Sequence, residues 1–218
     1  FSSQPAISSS GVLTFTPTAN ANGSATVTVS LSDNGGTANS GADDTSPNQT
    51  FTITVTAVND APVIDAISDP SAILEDAGSQ TINLAGIGDG DADVTQAITS
   101  VTATSNNTSL IPNPTVTYTP SAATGSLAYT PVSNANGSAV ITVTVTDDGG
   151  TANSGINSTT TTFTVNVTAV NDEPSFTKGS DQTVLEDSGS STITGWATSI
   201  SAGPSDESGQ TLTFTVTN

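Results

Sequence analysis

Apolar and polar residues alternate with a period of two along most of the chain. Phe51, Ile53 and Val55 are separated by threonines, and Val27 and Val29 are spaced in the same way. This period, with β-branched residues on both faces, is typical of antiparallel strands with one solvated face. No stretch shows a convincing helical period. The pattern therefore predicts an all-β protein.

Seven short strands are predicted within residues 58–170, and clusters of Gly, Asn, Asp and Pro separate them. Seven strands in a stretch of this length predict an immunoglobulin-like or cadherin-like antiparallel β-sandwich. Three strands are predicted on either side of it, whereas residues 1–10 give no strand signal. The predicted strands are residues 12–15, 25–32, 50–58, 72–74, 80–84, 98–103, 116–119, 127–130, 139–146, 161–170, 183–185, 191–193 and 211–217.

Four sequence motifs occur twice. The stretch TAVNDAPV at residues 56–63 returns as TAVNDEPS at 168–175, a spacing of 112 residues. This spacing is too long for a solenoid repeat and fits one sandwich domain of about 100 residues. The other motifs are at residues 20–24 and 134–138, 33–41 and 147–155, and 74–78 and 185–189.

The motif order predicts three consecutive domain segments. Residues 1–57 are predicted to be the C-terminal half of a repeat, residues 58–170 a complete repeat, and residues 171–218 the N-terminal half of the next. Tandem domains of this kind are expected to form an extended rod. The 218 residues are expected to be a window from a longer chain.

The charge balance restricts the partners that the chain can bind. Twenty acidic residues and a single base, Lys178, give a formal net charge of −19. Nucleic acids and anionic membranes need Lys and Arg to offset phosphate, so neither is an expected partner. Direct membrane insertion is not expected, because no run approaches the ~20 apolar residues of a membrane helix. Cations are the natural counter-charge.

Acidic residues gather at corresponding places in the repeats. Asp89, Asp91 and Asp93 alternate with small residues, Asp147 ends a predicted strand, and Asn59 and Asp60 lie in the repeated linker. Calcium binds six to eight oxygens from carboxylates, amides, backbone carbonyls and water. The clusters therefore favour calcium sites over a merely solubilising role.

These motifs resemble cadherin-type repeats. The closer resemblance is to the bacterial cadherin-like tandem repeats of very large calcium-dependent surface adhesins that are exported by type I secretion. It rests on Val-Asn-Asp-x-Pro, Leu-Glu-Asp-x-Gly, Asn-x-Asn-Gly and Asp-x-Gly-Gly, which recur at matching positions over essentially the whole chain. The resemblance implies calcium ions bound between successive repeats.

The resemblance also implies two sets of metal ligands. The first junction, at the linker of residues 56–63, would use Asn59, Asp60 and Asp147, with either Asp89 and Asp91 or Asp91 and Asp93. The second junction, at the linker of residues 168–175, would use Glu75, Asn171 and Asp172, joined by Asp206 or Glu207. The first acidic residue of the family's linker is replaced by Ala57 and Ala169, so one or two ions per junction are expected instead of three.

Several functions were weighed on the same residues. An enzyme is not expected, because the chain has no His or Cys to act as general base or nucleophile. The expected function is that of a calcium-rigidified stalk of a secreted or cell-surface adhesin, in a biofilm-like extracellular setting. Its partners would be calcium and neighbouring repeats, with glycans or cell-surface proteins bound by distal domains. The alternatives are a carbohydrate- or protein-binding sandwich and an extracellular filament subunit assembled by strand exchange.

Overall fold

The computed structural model describes residues 1–36, 38, 44–92 and 94–217. Strands account for 38% of the chain and helices for 3%, so the all-β prediction is confirmed. The chain divides into two compact units. Unit 1 comprises the described residues of 1–63, 87–100 and 145–159, and unit 2 comprises those of 64–86, 101–144 and 160 onward. The predicted segments 1–57, 58–170 and 171–218 stay a prediction.

Unit 1 contains two antiparallel hairpins. Strand β1 (Ser3–Ile7) pairs with β2 (Leu13–Thr16), and β3 (Gly23–Val29) pairs with β4 (Gln49–Val55) in unbroken register from Gly23 opposite Val55 to Val29 opposite Gln49. Every second side chain of β4 points inward, and Ile53 is buried. Ile87, Ile98 and Val145 are also buried within the unit.

Unit 2 contains a three-stranded antiparallel sheet. Its order is β6 (Gln80–Leu84), β9 (Gly125–Tyr129) and β8 (Thr115–Tyr118). A short parallel pairing joins β5 (Ile73–Leu74) to residues 167 and 168. The pair β12 (Ser175–Thr177) and β13 (Thr198–Ser201) is antiparallel.

Three long strands contribute residues to both units. They are β7 (Ile98–Ser105), β10 (Gly137–Asp147) and β11 (Ser158–Thr168), and the four-stranded sheet has the order β5-β11-β10-β7. Within unit 2 the inward-facing residues of this sheet and of the three-stranded sheet are fully buried, as expected of a sandwich core: Ile141, Val143, Phe163, Val165, Leu84 and Leu127. The seven strands predicted for residues 58–170 are therefore the seven observed, β5 to β11.

The strand predictions outside residues 58–170 are partly wrong. Residues 3–7 form a strand that their polar sequence did not suggest, because Ser3 and Ile7 pair with residues of β2. Residues 183–185, 191–193 and 211–217 were predicted to be strands but are not. Phe214 packs edge-on against Phe176 with ring centroids 5.0 Å apart, yet in the described residues no neighbouring strand pairs with its segment. Alternation predicts which side chains point inward, but a strand also needs a partner for its backbone.

Candidate metal centres

The side chain of Asn59 is locked into a loop of unit 1. Its Nδ2 donates to Asp147 Oδ1 at 3.0 Å, to the Gly150 carbonyl at 3.1 Å and to the Ile156 carbonyl at 2.7 Å. The Ile156 N–H donates in turn to the Asn59 carbonyl at 3.0 Å. Three acceptors around one nitrogen fix the orientation of the amide, because a flipped amide would place its oxygen against all three. Asn59 is only 8% exposed, and its Oδ1 is buried without a hydrogen-bond partner.

Gln96 presents a second amide oxygen to the same place. Its Nε2 donates to Asp91 Oδ2 at 2.9 Å and its backbone N–H donates to Asp89 Oδ2 at 3.0 Å, while its Oε1 is buried and unpartnered. Gly149 lies beneath both oxygens: a Cβ at this position would collide with Asn59 Oδ1 and with Gln96 Oε1. The two oxygens therefore converge on the backbone of Gly149, which has no side chain to exclude them.

Asp147 completes this group. It is 3% exposed; its Oδ1 accepts from Asn59 and from the Gly149 N–H at 2.9 Å, and its Oδ2 is buried without a partner. We call Asn59, Asp89, Asp91, Gln96 and Asp147 the Asn59 site. The structure thus brings together four of the residues that the sequence assigned to the first junction.

Of the remaining two residues assigned to that junction, Asp60 is the one that the structure describes, and it lies elsewhere. Asp60 is half-buried and lines a separate shallow cavity of unit 1 with Thr18 and Asn20. Asp60 is the next residue after Asn59, but the Asn59 side chain is oriented by hydrogen bonds to the loop that starts at Asp147. Asp93 lies outside the described residues.

A second acidic group lies in unit 2 around the other copy of the linker. Glu75 is fully buried, and its Oε1 accepts from the Val170 N–H at 2.6 Å. Glu207 is 5% exposed, and its Oε1 accepts from the Asp172 N–H at 2.7 Å. The second carboxylate oxygen of each residue is buried without a partner. A Cβ on Gly203 would collide with Glu207 Oε2, so glycine leaves space for this carboxylate.

The carboxyl group of Asp172 has a raised pKa. Burial raises its pKa, and the carboxylates of Asp76, Glu207 and Asp206 raise it further. Its Oδ2 is also buried without a partner. We call Glu75, Asp76, Asp172, Asp206 and Glu207 the Glu75 site.

The other residue assigned to the second junction lies at the edge of this site. Asn171 is exposed; its Nδ2 donates to the Asp172 carbonyl at 2.9 Å, and its Oδ1 accepts from Gln210 Nε2 at 3.1 Å. Asp206 Oδ2 accepts from Asn136 Nδ2 at 3.3 Å. The Asn-x-Asn-Gly loop, for which a tight turn is a sufficient explanation in the sequence, therefore also contacts an acid of the Glu75 site.

The unpartnered buried atoms are concentrated in these two sites. In the described residues, seven buried side-chain atoms have no hydrogen-bond partner. One is Tyr118 Oη, and the other six are oxygens of the two sites: Asn59 Oδ1, Gln96 Oε1, Asp147 Oδ2, Glu75 Oε2, Asp172 Oδ2 and Glu207 Oε2. No basic side chain can satisfy them, since the chain has one Lys and no Arg or His, and Lys178 is exposed and bonded to Asp181 at 3.1 Å. Oxygen donors of this kind suit a hard cation such as Ca²⁺.

Carboxylates alone do not form a ready-made metal cage. Within the described ranges no three Asp or Glu side chains are grouped closely enough to hold one ion. The Asn59 site supplies amide oxygens instead, and like charges at the Glu75 site repel one another. Gln96, Asp76, Gly149 and Gly203 were not predicted from the sequence. Gln96 follows the acidic run by three residues, but a lone Gln beside a strand gives no signal of its own.

Comparison with known proteins identifies no family. No family model matches the chain, and no curated protein is similar to it. Among solved structures, domains 4 and 5 of the S-layer protein SbsC are 21% identical, with 55% of this chain and 58% of that chain covered and a TM-score of 0.32. The titin domains Z1Z2 in complex with telethonin are 19% identical, with 56% and 55% covered and a TM-score of 0.34. The chain thus spans little more than half the length of either, and likeness of this degree carries no argument about function.

No helix in the described residues is long and apolar enough to cross a membrane.

Proposed function

We propose that this chain is a structural, non-catalytic stalk region of a secreted or cell-surface adhesin, and that calcium stiffens its repeats. The observation that carries the proposal is the set of six buried oxygens without donors. An unsatisfied buried polar atom costs about 1–3 kcal/mol, and more where it is charged. Six such atoms lie in two sites, and the one basic side chain of the protein is exposed, so a bound cation would compensate these oxygens.

The proposed mechanism is electrostatic. Without metal, the acids of each site repel one another and weaken the attachment of the linker to its neighbours. A bound calcium ion would neutralise them and join them through shared oxygens. In the Asn59 site this would fasten residue 59 of the linker to the loop at 147–156, to which Asn59 is already hydrogen-bonded.

The Glu75 site would act on the second linker in the same way. Glu75 and Glu207 accept from the backbone N–H groups of Val170 and Asp172, so both carboxylates are attached to one short linker stretch. An ion bound by their free oxygens would fix that stretch at two points. Extracellular modules bind calcium with dissociation constants of about 0.1–1 mM, so the linkers would be rigid outside a cell and loose in a cytosol.

The proposal is tested by calcium titration calorimetry, thermal unfolding and small-angle scattering on the 218-residue chain in EDTA and in millimolar calcium. Saturable uptake, a higher Tm and a longer, narrower particle are expected. A double variant, Asp147→Asn with Glu207→Gln, keeps the hydrogen-bonding oxygens and should lose most of the response. Asp69→Asn is the matched control, because Asp69 is exposed and binds only a backbone N–H, that of Thr164 at 2.6 Å.

The outcomes separate the alternatives. If calcium changes neither stability nor shape, the acids only solubilise the chain and the proposal is wrong. Calcium-independent growth of the particle mass with concentration would instead favour a strand-exchange filament. Saturable binding to a glycan array by the metal-free chain would favour a carbohydrate-binding module.

A further inference from the structure

We infer that the Asn59 site takes its cation through Asn59 Oδ1, Gln96 Oε1 and Asp147 Oδ2, with Asp89 and Asp91 as positioning residues. This rests on the proposed function for the identity of the ion. It differs from the arrangement that the sequence motifs imply, in which Asp89 and Asp91 bind the ion directly. The reason is the way in which hydrogen bonds already use the oxygens of each side chain.

Asp89 and Asp91 are engaged in holding the acidic loop and Gln96. Asp89 Oδ2 accepts from the Gln96 N–H, Asp91 Oδ2 accepts from Gln96 Nε2, and Asp91 Oδ1 accepts from the Val94 N–H at 3.1 Å. At least three of their four carboxylate oxygens therefore bind nitrogen. Both carboxylates fasten the backbone or the amide of Gln96, and so determine where its Oε1 points.

Gln96 cannot satisfy both of its polar neighbours. As it lies, its Nε2 binds Asp91 and its Oε1 is left next to Asn59 Oδ1 above Gly149. If the amide were flipped, the nitrogen could serve Asn59, but the oxygen would then face the Asp91 carboxylate. Either orientation leaves two oxygens facing each other without a donor. A cation between Asn59 and Gln96 removes the conflict with no change of either side chain.

Gly149 is the base of this site. A Cβ there would collide with both amide oxygens, and the Gly149 N–H is bonded to Asp147 Oδ1. The other oxygen of this carboxylate, Oδ2, is buried and has no hydrogen-bond partner. Two of these three buried oxygens belong to amides, which agrees with the finding that the described residues contain no group of three acids able to hold a metal ion. Backbone carbonyls and water would supply the remaining calcium ligands.

The decisive variant is Gly149→Ala, measured by calcium titration calorimetry of the full chain beside Gly11→Ala. The first places a methyl group where the oxygens meet and removes no side chain; the second meets no atom within 4 Å but is strained, because Gly11 has a φ of +82°. We expect Gly149→Ala to bind one calcium ion fewer per chain, that of this site. Gly11→Ala, outside both sites, should lower the Tm in EDTA and calcium alike and keep the wild-type stoichiometry.

A second pair of variants separates ligand from positioning residue. Gln96→Ala should also bind one calcium ion fewer per chain than the wild type. Asp91→Asn keeps one oxygen, which can accept from Gln96 Nε2 at the loss of the bond from the Val94 N–H. It should therefore still bind the calcium ion of this site, with affinity reduced by about tenfold, the lower end of effects from groups that orient ligands.

The reverse result, with Asp91→Asn losing this calcium ion and Gln96→Ala keeping it, would make Asp91 the ligand and overturn the inference. Wild-type stoichiometry and affinity in Gly149→Ala would overturn it too, while calcium binding by the chain would stand. If the wild-type chain took up no calcium at all, the proposed function itself would fail.

Discussion

The variant Glu75→Gln separates two effects of the Glu75 carboxylate on stability. One is the cost of burying its charge without metal, and the other is the gain from binding calcium. Glu75 is fully buried; Oε1 holds the Val170 N–H at 2.6 Å, and Oε2 has no partner. The amide keeps the acceptor and the size of the side chain, but replaces a buried negative charge with a neutral group. In EDTA the variant should therefore be more stable than the wild type.

The magnitudes follow from the cost of an unpaired buried group and from ligand linkage. Removing the charge of one uncompensated buried carboxylate should outweigh the cost of burying the amide N–H groups, and should raise the free energy of unfolding in EDTA by about 1–3 kcal/mol. At free calcium of 100 times the dissociation constant, each site adds about 2.7 kcal/mol to the folded state. With two sites in the wild type, the calcium-induced gain should fall by about half in the variant. For a chain of this size that loss is about 5–10 °C in Tm.

Thermal unfolding in EDTA and in saturating calcium measures both numbers on one sample. Asp69→Asn is again the matched control, because its carboxylate also accepts from a backbone N–H at 2.6 Å but is exposed. It should change neither value by more than a few tenths of a kcal/mol. If Glu75→Gln leaves the calcium-induced gain in stability at its wild-type value, the carboxylate is only a hydrogen-bond acceptor for Val170 and the cation argument is refuted.

Three further predictions concern unit 2. Gly203→Ala should displace Glu207, because the Cβ would meet its Oε2, and calorimetry should show loss of calcium at the Glu75 site with the Asn59 site intact. Phe163→Ala should cost about 3–5 kcal/mol in denaturant unfolding, equally with and without calcium, since Phe163 is a 2% exposed core residue and no part of either site. In EDTA, Asp172→Asn should be more stable than the wild type at neutral pH, and this difference should shrink as the pH falls towards 3.8, the ordinary aspartate value, because burial and neighbouring carboxylates raise the pKa of Asp172 and protonation removes the penalty. A stability difference that grows on acidification would contradict the last prediction.

The fold was predictable where a strand's partner lies close by in the same repeat. Residues 139–146 and 161–170 were predicted to be strands, and they coincide closely with β10 and β11, in which Ile141, Val143, Phe163 and Val165 are buried. Alternation has no information about pairing, however. The segment at 211–217 alternates as well as any other and forms no strand, whereas the polar segment at 3–7 forms one because β2 supplies its hydrogen bonds.

The candidate sites were predictable to the extent that they depend on charge. Asp147, Glu75, Asp172 and Glu207 are conspicuous acids in a chain with one base, and the structure buries at least one oxygen of each without a donor. Gln96 was not predictable, because a neutral amide adds nothing to a count of charges. Its importance comes from the hydrogen bonds of Asp89 and Asp91, which depend on how the loop folds.

Identical linker motifs acquire different chemistry from their surroundings. Asn59 and Asn171 occupy the same position of the repeated VNDxP motif, yet Asn59 is buried with its oxygen unpartnered, whereas Asn171 is exposed and its oxygen accepts from Gln210 Nε2. The same Gln210 nitrogen also donates to Glu207 Oε1 at 3.2 Å. At the second linker a glutamine N–H thus donates to the asparagine oxygen, and the oxygens left without a donor belong to carboxylates. At the first linker a glutamine oxygen faces the asparagine oxygen, and both amide oxygens are left without a donor. The motif therefore determines where buried oxygens gather, and the neighbouring glutamine determines which of them are left without a donor.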